Sequence, residues 1–264
     1  MLLQDKCAVI YGGGGAIGGA VARVFAREGA RVFLAGRTQA RLDAVATDIA
    51  AGMPIETAQV DAFDQRAVEL HADAVAARAG GIDIVFNAVS VMHDQGTLLE
   101  DLSLDEFLRP IDGFLRTLFI TSKAVARHMG GQRPGVILTM SEAGARFAAP
   151  GLLGHIVSSA GKETFTRVLA AELAPRNIRV LCIRSHALTD APAAGSYTGE
   201  LFTPAATAAG QSVDEWVAGL AEGTMLKRLP TLADIAETAA FLASDRASLM
   251  TGTVANVTGG AAMD

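Results

Sequence analysis

The sequence predicts a single α/β domain spanning residues 1–264, built as a doubly wound parallel sheet. Three observations predict it. Short runs that are apolar throughout alternate with helix-like runs along most of the chain, the pattern of strands covered by helices on both faces. The first strand-like run leads directly into a glycine-rich turn and then a helix. Finally, 264 residues of which 50% are hydrophobic and 19% charged can bury one large core and are too apolar for disorder.

Residues 6–11 form the first strand, ending at Tyr11. Gly12-Gly13-Gly14-Gly15-Ala16-Ile17-Gly18 follows, and a helix is expected over 18–28. So much bare backbone between a strand and a helix lets a ligand approach the main chain without meeting a Cβ. The free N–H groups opening the helix favour an anion. With a second strand at 31–35, residues 6–35 read as a βαβ unit that closes over a pyrophosphate, the dinucleotide-binding (Rossmann) arrangement.

The remaining elements follow in alternation. A helix is expected at 38–51, a strand at 55–60, a helix at 64–79 and a strand at 82–87. A long helix at 103–129 is interrupted or bent near Pro110. Strands at 136–140, 178–183 and 253–257 alternate with helices at 155–174 and 232–244. Residues 187–224 differ, being rich in Ala, Gly, Pro and Thr with weak periodicity, and read either as a lid or substrate segment or as a mere surface insertion. Within it Trp216, Val213, Val217 and Leu220 read as helix packing.

Net charge is −6, with no basic stripe, which argues against a nucleic-acid partner. Cys7 and Cys182 lie in apolar runs without a C-x-x-C spacing, the expectation being buried free thiols in a reducing compartment. No His/Cys/Asp/Glu cluster has metal-ligand spacing, so no metal is expected. No apolar run spans a bilayer and no leader pattern opens the chain, so a cytoplasmic protein without membrane contact is the default expectation. His71 and His128 read as solvated surface residues; His93, a few residues after the fourth strand, is given little weight, with a place at the mouth of a substrate site its minor alternative.

After the second strand comes Ala35-Gly36-Arg37-Thr38. An acidic residue there would hydrogen-bond the ribose 2′-hydroxyl of NAD; Arg37 instead suits the 2′-phosphate of NADP(H), with NAD the alternative.

Taken together, these motifs resemble the short-chain dehydrogenase/reductase family over nearly the whole chain. The turn is similar to that family's T-G-x-x-x-G-x-G, with Tyr11 for Thr and Ala16 for the second Gly. Phe86-Asn87-Ala88-Val89 falls at its N-N-A-G, and Asn256-Val257-Thr258-Gly259-Gly260 matches near the end. The resemblance implies that Gly12, Gly14, Gly15, Ala16, Ile17, Gly18 and Arg37 meet the phosphates. It places Asp61 and Ala62 at the adenine, and Asn87, Ala88 and Val89 at the nicotinamide-side ribose. It also implies a homodimer or homotetramer paired through helices 103–129 and 155–174.

The family's catalytic Asn, Ser, Tyr and Lys are absent: their positions fall on Phe114, Glu142, His155 and Ser159, and no Y-x-x-x-K occurs. Ser141 precedes the Ser position, and Lys162 lies one helical turn beyond Ser159. His155, Ser159 and Lys162, at i, i+4 and i+7, share a helix face. The expected site therefore uses His155 as a proton donor near neutral pH, oriented by Glu142, with Ser141 or Ser159 on the substrate oxygen. The implied activity is NADP(H)-dependent oxidoreduction of a small carbonyl or alcohol. The alternatives are a dinucleotide-binding sensor or scaffold without turnover, and different chemistry such as a lyase or double-bond reductase.

Overall fold

A computed structural model describes residues 1–49 and 55–264. It contains one seven-stranded parallel sheet in the order β3-β2-β1-β4-β5-β6-β7. The strands are β1 (Cys7–Tyr11), β2 (Arg31–Gly36), β3 (Ile55–Gln59), β4 (Ile84–Asn87), β5 (Gly135–Glu142), β6 (Ile178–Ser185) and β7 (Val254–Val257). The helices are α1 (Ala16–Arg27), α2 (Gln39–Ile49), α3 (Gln65–Ala79), α4 (Leu104–Ala126), α5 (Leu153–Leu173), α6 (Thr198–Ala208), α7 (Val213–Gly219) and α8 (Leu232–Ala243). The last two residues expected in the helix at 38–51 lie outside the described residues.

The central strands are apolar and buried because helices cover both faces of the sheet. Ile10, Leu34, Phe86 and Leu138 point to one face and pack with Val21 and Phe25 of α1 and Ala239 of α8. Alternate residues Val9, Phe33, Val85 and Ile137 point to the other, against Val68 of α3 and Val125 of α4. The order reverses between β1, which pairs with β2, and β4, which pairs with β5. In such sheets the crevice outside the carboxyl ends of the two strands at this reversal takes ligands. Here those ends carry the glycine turn and Asn87-Ala88-Val89.

Two glycines make that crossing possible. Gly12 sits at φ +81°, and a Cβ on it would lie 2.4 Å from the Ala88 carbonyl oxygen. A Cβ on Gly18 would lie 2.3 Å from the Gly12 carbonyl oxygen. Both approaches are closer than any side chain tolerates.

Several elements differ from expectation. α4 runs as one helix through Pro110, started by a capping box between Ser103 and Glu106. β5 continues two residues past Met140, which puts Ser141 and Glu142 on opposite sides of a strand end. Part of 187–224 is folded into α6 and α7, with Trp216 tilted against Phe202 at 5.1 Å between ring centroids. His71 is not solvated: it is half-buried, its Nδ1 lies 3.3 Å from the Tyr11 hydroxyl, and burial lowers its pKa to about 4. His128 is partly covered and bonds Asp73 at 2.8 Å. Among the described residues, no helix is long and apolar enough to cross a membrane.

Candidate active site

An open cleft begins at the glycine turn. Gly12, Gly14 and Gly15 form its floor, Arg37, Thr38 and Arg41 one wall, and Asp61, Ala62 and Phe63 the far end. Ala88, Val89 and Ser90 close the side toward β4. Gly15 caps α1 in extended conformation without a side-chain hydrogen bond, and the first turn of α1 carries no acid. The opening N–H groups of α1 are thus without side-chain competition for an anion. Arg41, one turn into α2, joins Arg37 on the wall. The sequence reading missed it, although its spacing from Arg37 was the available signal. Asp61 holds its own turn by accepting from the Phe63 N–H at 3.0 Å.

Ala16, Ile17 and Gly18 form the first turn of α1 and contribute its opening N–H groups. Asn87 closes the carboxyl end of β4. It is buried, donates from Nδ2 to Thr121 Oγ1 at 2.7 Å and accepts from the Val89 N–H at 3.2 Å. Its side chain shapes the strand end, and it is Ala88 and Val89 that face the cleft.

Beyond Val89, β5, α5 and the loop after β4 bring polar side chains together. Lys162, one helical turn beyond Ser159 on α5, is 4% exposed and reaches the Glu142 carboxylate with distances of 2.9 and 3.0 Å. Ser159 donates its hydroxyl to the same carboxylate. Burial alone would raise the Glu142 pKa, but Lys162, then His155 and the Ser159 hydroxyl, hold it down at about 2. Phe114 lays its ring 4.3 Å from Lys162 Nζ, a cation–π contact.

The expected Glu142–His155 hydrogen bond does not form, because Lys162 and Ser159 take the carboxylate. His155 is bonded instead to His93, with Nδ1 to Nε2 at 3.0 Å and the rings 7° from parallel. Burial drives the His155 pKa down to about 4, and the negative charge of Glu142 only partly offsets this. At neutral pH the ring is therefore uncharged, which corrects the expectation of a ready proton donor. His93 is 4% exposed and its pKa is likewise lowered by burial. Tyr197, at the start of α6, tilts over His93 at 6.3 Å between centroids. It comes from a stretch without motif, where no sequence signal marks it.

Ser141 is turned away from this group. It is fully buried and donates to Glu163 at 2.8 Å; Glu163 in turn pairs with the fully buried Arg184 at 2.7 and 3.0 Å. That network keeps Ser141 apart from Glu142, whereas Ser159, equally buried, is the serine that bonds the Glu142 carboxylate. The cluster thus has two halves: an ion pair of Glu142 with Lys162 supported by Ser159, and a neutral pair of His155 with His93. Such a set can stabilise developing charge and can accept or return a proton.

The family model for enoyl-(acyl carrier protein) reductase matches residues 14–262. The chain is 31% identical over 264 residues to a 3-oxoacyl-(acyl-carrier-protein) reductase of Chlamydia muridarum, covering 99% of each protein. It is 35% identical to an uncharacterized oxidoreductase of Mycobacterium tuberculosis, covering 98% of this chain and 92% of the relative. Among solved structures, a short-chain dehydrogenase/reductase from Serratia marcescens superposes with TM-score 0.84 at 25% identity over 100% of both chains. A short-chain dehydrogenase from Burkholderia cenocepacia in complex with NADP superposes with TM-score 0.83 at 27% identity over 99% of both. With its parallel sheet, its glycine turn at the strand-order reversal and a family model spanning nearly its whole length, the chain belongs to the short-chain dehydrogenase/reductase family.

Proposed function

We propose that the protein is an NADP(H)-dependent oxidoreductase acting on a small carbonyl or alcohol with a non-standard catalytic group. The observation that carries this reading is the glycine cradle walled by two arginines; the Glu142–Lys162 and His93–His155 pairs supply the titratable groups. The Burkholderia relative is bound to NADP, and Arg37 and Arg41 offer this chain two cations for a 2′-phosphate. The cofactor, when bound, supplies hydride chemistry at its nicotinamide. His155 takes the proton of a substrate hydroxyl, or returns it to a carbonyl oxygen. Lys162 lends positive charge near that oxygen, and Ser159 holds the Glu142 carboxylate that pairs with Lys162. The segment 187–224 closes the site as a lid within one domain, with Tyr197 its contact to the histidines.

Other parts of the reading are proposals of the same standing. A homodimer or homotetramer through α4 and α5 is supported by exposed Phe119 and Val168 and by the groove lined by Phe119, Phe165 and Leu169. A reducing cytoplasmic compartment is supported by the two free, buried thiols. One observation favours a binding protein without turnover: the Glu142 carboxylate is already satisfied by Lys162 and Ser159.

Fluorescence titration with NADPH and NADH at matched salt tests the cofactor half. Saturable binding, tighter for NADPH, with roughly a 10- to 100-fold loss in Arg37→Asp is expected for one charge-assisted contact. Absence of binding by either dinucleotide would end the oxidoreductase reading.

A further inference from the structure

His93 Nδ1 lies 2.8 Å from the carbonyl oxygen of Val91. A carbonyl only accepts, so in the neutral ring Nδ1 carries the proton and Nε2 carries the lone pair. That lone pair faces His155 Nδ1 at 3.0 Å and the Gln95 side-chain amide nitrogen at 3.2 Å. Both neighbours must therefore donate to it. The protonation state of His155 follows: its Nδ1 holds the hydrogen and its Nε2 is bare.

We propose that His93 is a positioning residue that locks His155 as the Nδ1–H tautomer and so fixes Nε2 as the proton acceptor of the site. The chain runs from His155 through His93 to the Val91 carbonyl. It ends on a group that cannot ionise, so the lock does not depend on a neighbouring carboxylate. The pair is held by its surroundings. The edge of the Phe114 ring meets His93 at 5.8 Å and 74°, and Tyr197 covers it. The charges facing the pair are Glu142 and Lys162, with Asp94 farther along the same loop. This assignment rests on the proposed role of His155 and extends it. In the resting state the site offers a lone pair and not a proton, so it receives a substrate through a hydroxyl. His155 Nε2 would take the hydroxyl proton, and a bound oxidised nicotinamide dinucleotide would supply the acceptor for the hydride leaving the same carbon.

The test is nitrogen-15 NMR of histidine-labelled protein, in which the two ring nitrogens of a neutral imidazole are distinguishable. There are only five histidines to assign. Wild-type His155 is expected to show a protonated Nδ1 and an unprotonated Nε2. In His93→Leu the acceptor is gone and the resonances should move toward the Nε2–H form; in His93→Gln the amide oxygen can accept, and the Nδ1–H form should persist. Where an alcohol substrate has been found, turnover should fall roughly 10²-fold in His93→Leu, the low end of what a placed proton-transfer group contributes. It should be restored in His93→Gln, with cofactor affinity unmoved throughout. A wild-type His155 with its proton on Nε2 overturns the proposal without need of any variant, and so does an unchanged tautomer in His93→Leu. A locked tautomer in a protein that turns over nothing would sink the oxidoreductase reading and leave this assignment standing.

Discussion

Replacing Lys162 by methionine removes the cation that keeps Glu142 ionised inside the site. The Glu142 pKa is lowered from 4.5 to about 2, and each unit is worth about 1.36 kcal/mol. That corresponds to about 3 kcal/mol, which screening of a side chain 31% exposed reduces to about 2 kcal/mol. Because the folded-state pKa is depressed, this stability is fully present above pH 4.5 and is lost as pH falls toward 2. Urea denaturation should therefore find Lys162→Met less stable than wild type by about 2 kcal/mol at pH 7. The gap should narrow markedly at pH 3, where the wild type has already lost part of the pairing. Adding Glu142→Gln should recover much of the loss at pH 7, since it removes the charge left alone. A Lys162→Met penalty that is equal at pH 7 and pH 3, or unaffected by Glu142→Gln, would show that the lysine acts only as packing against Phe114.

Two further expectations follow from burial and backbone geometry. Gly12→Ala places a Cβ 2.4 Å from the Ala88 carbonyl at φ +81°, so it should cost at least about 2 kcal/mol, seen as a lowered Tm together with lost dinucleotide binding; an unchanged Tm would refute the account of the turn. Cys7 and Cys182 are buried, and burial pushes both thiols up to about 12. Both should resist a thiol reagent in the native protein and react on unfolding, whereas labelling of the native protein within minutes would contradict their placement.

Most of the fold was legible in the sequence because its signals are local. Apolar runs bounded by helix patterns located every strand, and the turn at 12–18 could only serve a close backbone approach. Arg37 was found by its register after β2. The site was less legible because its pairs join distant positions: Glu142 with Lys162 are 20 apart, and His93 with His155 are 62 apart. Spacing on α5 placed His155, Ser159 and Lys162 on one face but could not say which would claim the carboxylate. Ser141 and Glu142 were separated by the parity of β5. Ending that strand at Met140 hid the fact that successive residues point to opposite sides. His93 carried little weight in the sequence, because its hydrogen bonds depend on the path of a loop that no periodicity describes.

The proposed oxidoreductase works through His155. The most direct measurement is NADP(H)-linked turnover across a panel of small carbonyls and alcohols, for wild type and His155→Phe, with cofactor affinity measured in parallel. His155→Phe should bind the dinucleotide as wild type does and lose turnover by roughly 10²- to 10⁴-fold, the contribution of a positioned acid–base group. Turnover undiminished in His155→Phe, or none in wild type with any member of the panel despite saturable binding, would contradict that role.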